Sequence, residues 1–160
     1  MSYPEPRYLG EGGEVTAVLR PADTGPDLES GTGNRTHYLA TGASTGGEFG
    51  LYKVEMGPGS PGPSRHFHRS ISESFYVLSG RPQLFDGERW VTGRSGDFLY
   101  VPAGGLHAFK NTSDGPASML LLFSPGAPRE EYFERIGEMT RRGGKELEDF
   151  LVKHDSFFVE

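Results

Sequence analysis

The chain has no cysteine, so neither a disulfide nor a thiolate site is available to it, and an oxidising compartment is not needed for its folding. It lacks any apolar window long enough to span a bilayer. The opening Met1-Ser-Tyr-Pro-Glu-Pro-Arg7 has neither the apolar core nor the cleavage signal of a secretory leader, so a soluble cytoplasmic protein with no membrane partner is expected. Basic residues are outnumbered, 16 Lys and Arg against 22 Asp and Glu, for a formal charge of −6, and no Lys/Arg run accompanies an aromatic platform. Nucleic acid is therefore not an expected partner. At 160 residues there is room for one core but not for a second domain of ordinary size.

What the chain does have is glycine and proline, 24 and 12, distributed between short β-rich runs as turns. The expected strands are Glu14 to Leu19, Thr36 to Thr41, Glu48 to Met56, Glu73 to Ser79, Pro82 to Phe85, Arg89 to Thr92, Asp97 to Val101, Leu106 to Asn111 and Ala117 to Phe123. Asp86-Gly87 is a tight-hairpin signal, because glycine takes positive φ without a Cβ clash. Many short strands with regular turns predict an all-β sandwich or barrel. Residues 20–35 are polar and turn-rich and read as a mobile loop. Beyond Pro128, Glu130 and Glu131 suit a first helical turn, and Tyr132, Phe133, Ile136 and Met139 recur at helical spacing up to Gly143-Gly144. A second short helix follows, with Leu147, Phe150 and Leu151 on one face. Both apolar stripes are expected to pack on the outside of the barrel, the alternative being a helix across the barrel mouth that shapes the substrate entrance.

The chemistry concentrates in two segments. His66 and His68 stand one residue apart, with Glu73 five residues later, and His107 lies in Gly96-Asp-Phe-Leu-Tyr-Val-Pro-Ala-Gly-Gly-Leu-His-Ala-Phe-Lys-Asn111. On a strand, residues i and i+2 share a face, so both imidazoles meet at one place while Phe67 points away. Three nitrogens and a carboxylate suit a divalent first-row metal and leave coordination positions for water, substrate or dioxygen. His37, in a strand-like run, and His154, among charged residues, read as ordinary polar side chains. If Glu73 and His107 point inward, alternation brings Phe75, Val77, Phe109 and Asn111 to the same pocket. Such an apolar lining favours a small planar organic substrate over a sugar phosphate, unless Lys53 or Arg65 faces the mouth.

At these segments the chain resembles the cupin superfamily. The first cupin motif is met by His66, His68, Glu73 and Gly80 in register, with Ser60 at the position of its opening glycine and Gly59 and Gly62 flanking it. The second is complete in Gly96, Pro102, Gly104, His107 and Asn111. The resemblance covers residues 49–124. It implies a double-stranded β-helix, a jelly-roll barrel, over 36–124. Residues 1–35 would then form an N-terminal strand and loop segment, and 125–160 a short C-terminal helical extension.

The resemblance also implies a ligand set, His66, His68, Glu73 and His107, for a divalent transition metal: Fe, Mn, Ni, Co, Cu or Zn. Ser72-Glu-Ser-Phe-Tyr-Val-Leu-Ser-Gly80 and Pro125-Gly-Ala-Pro-Arg-Glu-Glu-Tyr-Phe133 are similar to quercetinase-like flavonol dioxygenases. That similarity implies dioxygenase cleavage of an enolic or phenolic substrate, with Glu73 as the catalytic base, its pKa raised by burial. Two alternatives use the same residues: a redox-neutral cupin such as a polyketide cyclase or isomerase, and a non-catalytic small-molecule binder. Cupins commonly dimerise, so a homodimer is expected.

Overall fold

The computed structural model describes residues 1–31 and 33–159. Its strands are β1 (Leu28–Glu29), β2 (Arg35–Ala40), β3 (Gly50–Met56), β4 (His66–Phe67), β5 (Ser72–Ser79), β6 (Gln83–Phe85), β7 (Trp90–Thr92), β8 (Phe98–Val101), β9 (Ala108–Lys110) and β10 (Ala117–Ser124). Two helices follow, α1 (Glu130–Arg142) and α2 (Gly144–Lys153), and then β11 (Phe157–Phe158). A six-stranded antiparallel sheet in the order β1-β2-β3-β10-β5-β8 packs over a three-stranded sheet, β7-β6-β9, and β11 pairs with β4. This is the all-β jelly-roll barrel with a C-terminal helical extension that the sequence predicts.

Strand alternation builds the core. Tyr52, Val54 and Met56 of β3 point inward, as do Met119, Leu121 and Phe123 of β10 and Phe75 and Val77 of β5. Register aligns them in rows: Leu121 stands opposite Tyr52 on one side and Phe75 on the other, and Phe123 stands opposite Gly50 and Glu73. The same row that buries Phe123 therefore turns the Glu73 carboxylate into the barrel. Leu84 of β6 closes the cluster from the smaller sheet. Fully burying each such side chain contributes about 1.5–3 kcal/mol.

The segment Glu14 to Leu19 forms no strand. Val15, Val18 and Leu19 are exposed, and β-propensity without a hydrogen-bonding partner gives no ladder. Within the 20–35 segment, the Asp27 carboxylate accepts from Tyr38 N at 2.7 Å and Arg20 Nη2 at 2.9 Å, which ties this segment to β2.

Glu130 and Glu131 open α1 and Arg141 and Arg142 close it, each pair favourable to the helix dipole. Gly143, at φ +66, ends the helix, its N–H donating to Met139 O. Tyr132, Met139 and Phe150 pack the two helices together. The other apolar residues do not lie against the outside of the barrel. Phe133 meets Tyr52 edge-on and Phe123 at a tilt, and Ile136, Leu147 and Leu151 wall the barrel cavity. Tyr52 Oη donates to Glu130 Oε1 at 2.6 Å, and Tyr38 Oη to Glu134 Oε1 at 3.1 Å, so α1 is tethered across the barrel mouth.

Candidate metal centre

The two motif segments meet through backbone pairing. His66 and His107 exchange both backbone hydrogen bonds, at 3.0 and 2.9 Å, and Gly104 N donates to His68 O at 2.6 Å. Gly62 makes this approach possible, and Gly80 a second one, to the start of β10. A Cβ on Gly62, at φ +61, would fall 1.9 Å from Phe109 O, and one on Gly80, at φ +77, would fall 2.4 Å from Pro116 O. Ser60 itself needs no special backbone. It is buried, and its carbonyl accepts from Asn111 N while Gly59 and Gly62 supply the positive φ.

His66, His68, Glu73 and His107 are all buried, and their ligand atoms lie within 4.8 Å of one another, a group that can hold a metal ion. Each imidazole is fixed by its Nδ1. That of His66 donates to Ser64 O at 2.8 Å, that of His107 to Gly105 O at 2.9 Å, and that of His68 to Asp155 O at 2.5 Å. A carbonyl can only accept, so Nδ1 carries the proton in all three rings and Nε2 is left as the ligand atom. His107 and His68 bring Nε2 to 2.8 and 3.1 Å from Glu73 Oε2. Lone pairs facing a carboxylate at such distances call for a cation between them, and the donor set suits a borderline divalent ion.

Burial favours the neutral acid at Glu73, yet its contacts with His107 and His68 outweigh burial and hold the carboxyl well below the usual carboxylate range. The sequence expectation of a raised Glu73 pKa is thus reversed, because burial here comes with two imidazole partners. His107 is raised: burial works against its charge, and the Glu73 carboxylate overcomes it. Burial, reinforced by the neighbouring His107 charge, pushes His66 down to about 4, so it is neutral at pH 7 and ready to ligate.

A cavity of about 570 Å3 opens beside Glu73 and His66. Phe109 lines it. Phe75 and Val77 are wholly buried in the core and are not among its walls. Asn111 is also wholly buried, its amide donating to Gly57 O at 3.0 Å and Gly115 O at 2.9 Å, so it holds two loops together behind the site. Lys53 pairs with Glu55 at 2.7 Å and Arg65 lies over the Phe85 ring; neither is a cavity wall. His37 contacts Glu55 at 3.3 Å, and His154 packs on Phe150.

Two participants escaped the sequence reading. The C-terminal segment supplies the Asp155 carbonyl to His68, and the Asp155 carboxylate accepts from Arg69 N, Ser70 N and Ser70 Oγ. β11 pairs with β4, which stacks Phe158 on His66 at 5.0 Å. Arg129, the residue before α1, is buried in the cavity wall. No periodicity marks either residue, since both act across long sequence separations.

Residues 52–123 match the cupin domain family model. The chain is 30% identical over 118 residues to Quercetin 2,3-dioxygenase of Bacillus subtilis, covering 69% of this chain and 34% of that protein. It is 36% identical over 90 residues to Polyketide synthase CurC of Streptomyces cyaneus, 56% of each. Among solved structures it is similar to a predicted oxalate decarboxylase from Thermotoga maritima, with a TM-score of 0.59 and 20% identity over 68% of this chain and 99% of that one, a likeness of fold alone. The chain spans 34% to 66% of the length of the curated relatives it matches.

Proposed function

The chain belongs to the cupin superfamily, and from that membership we propose that it is a metal-dependent dioxygenase acting on a small planar enol or phenol. The observation that carries this reading is the convergence of three carbonyl-locked imidazoles on the Glu73 carboxylate beside an apolar cavity. His66, His68, Glu73 and His107 would hold the divalent ion. When bound, it would supply Lewis acidity toward an enol oxygen and, if redox-active, a path for electrons to dioxygen. Glu73, the one acid among the described cavity walls, is the group placed to accept the enol proton. Phe109 and Phe133 would flank the substrate, and α1 and α2 would keep bulk water from the reacting atoms. The similarity to Quercetin 2,3-dioxygenase supports the same choice of substrate class.

The test is oxygen uptake by the metal-loaded protein with flavonols, catechols and β-diketones, with Glu73→Gln as control. Uptake that needs the metal and falls in Glu73→Gln supports the reading. No uptake with any of them ends it. A redox-neutral cyclase is the second reading, favoured by the 36% identity to Polyketide synthase CurC, and turnover of a polyketide without oxygen would select it.

We also propose a cytoplasmic homodimer. Among the described residues no helix is long and apolar enough to cross a membrane. The outer face at edge strand β8 exposes Phe98 and Tyr100 beside Tyr76, its cross-strand neighbour, and such an aromatic edge needs cover. Light scattering that finds a monomer at micromolar concentration would refute the dimer.

A further inference from the structure

Arg129 is only 3% exposed, and it lies in the wall of the apolar cavity. Its guanidinium sits over the rings of Tyr132 at 4.1 Å and Phe123 at 5.2 Å. Nη1 donates to His154 O, and Nη1 and Nη2 reach Ser156 Oγ only at 3.4 Å. Nε has no partner, and among the described residues Arg129 forms no ion pair within 4.0 Å. A buried cation without a counter-ion is expensive, and aromatic faces repay only part of that cost. Burial accordingly pulls its pKa below the ordinary value, though a guanidinium stays charged in a protein.

The charge balance of the cavity points the same way. Among its described walls Glu73 is the one acid and Arg129 the one Lys or Arg. Glu73 is already engaged by His68 and His107, so its charge is not available to neutralise Arg129 by contact. A divalent ion at the four ligands would leave positive charge in further excess. The remaining walls are mostly apolar, among them Leu28, Val54, Phe109, Ile136 and Leu151, with uncharged polar side chains such as Asn34, Thr36 and Thr140 between them.

We propose that Arg129 is the recognition residue for an anionic group on the ligand, so that the cavity takes an amphipathic organic anion, an apolar planar body carrying a carboxylate or an ionised enol. This deepens the proposed function and uses the same cavity, but it concerns binding and not turnover. A phosphate, with more charge and no second cation to meet it, fits these walls poorly.

The experiment compares 2-naphthoate with its neutral isostere 2-naphthamide by titration calorimetry at pH 7, on chelator-treated protein and on zinc-loaded protein. Wild type should bind the carboxylate at least about tenfold more tightly in both forms. Arg129→Gln should abolish that preference, Arg129→Lys should retain part of it, and Ile136→Trp, which fills the cavity, should lose both ligands. Equal affinity for the two ligands on wild type overturns the proposal without any variant having to fold. So does a preference that survives in Arg129→Gln or exists only with zinc bound. Absence of oxygen uptake would sink the dioxygenase reading and leave these titrations untouched.

Discussion

His68 is held in place by Asp155, whose backbone carbonyl accepts its Nδ1 proton at 2.5 Å across 87 residues of sequence. The Asp155 side chain secures that carbonyl by capping Arg69 N and Ser70 N, and the residue itself sits at φ +50, a conformation that aspartate tolerates better than most. The segment after α2 thus orients one of the four candidate metal ligands.

Asp155→Ala should therefore weaken metal binding although Asp155 is no ligand. The carbonyl is still present in Asp155→Ala but no longer fixed by the side chain, so the loss should be about 10-fold, the low end of what losing an outer partner costs. Competition for zinc against a chromogenic chelator measures it. An unchanged affinity would show that the Asp155 side chain does not fix the carbonyl that orients His68.

The metal-free protein should lose stability as pH falls from about 6.5 toward 4. In the unfolded chain His66 takes up its proton near 6.5, whereas in the folded state it does so only near 4. Between those values the unfolded state binds more protons, so stability declines with falling pH, by at most about 3 kcal/mol from this residue. Lowered His154 adds to the same decline, and raised His107 acts above 6.5 with the opposite slope. Urea midpoints across this range check it, and His66→Leu should flatten the curve. A wild-type midpoint that is level from 6.5 to 4.5 would contradict the buried neutral His66.

Gly62→Ala should destabilise the barrel by at least about 2 kcal/mol, combining a left-handed backbone with a Cβ driven into Phe109 O. Gly59→Ala, also at positive φ but with open space around it, should cost less. Thermal melts of the two variants rank them, and equal losses would mean that the loop does not approach β9 as closely as described.

The barrel strands were legible because each carries its own alternation between turn residues, and eight of those expected fall where the sequence places them. The metal group was legible because its four residues sit in two local patterns whose spacing is itself the signal. Glu14 to Leu19 misled, since β-propensity carries no information about a partner. The helical stripes showed that α1 and α2 have apolar faces, but not that Phe133 and Ile136 turn theirs to the cavity. Arg129 and Asp155 were invisible for a related reason: one is defined by the anion it lacks, the other by a carbonyl, and neither leaves a trace in residue spacing.

The most direct test is metal content. Wild-type protein loaded with zinc and dialysed should retain about one equivalent per chain by elemental analysis, and His107→Ala and Glu73→Gln should each retain far less while still melting cooperatively. Retention of a full equivalent by either folded variant, or none by wild type, would contradict a metal centre built from His66, His68, Glu73 and His107.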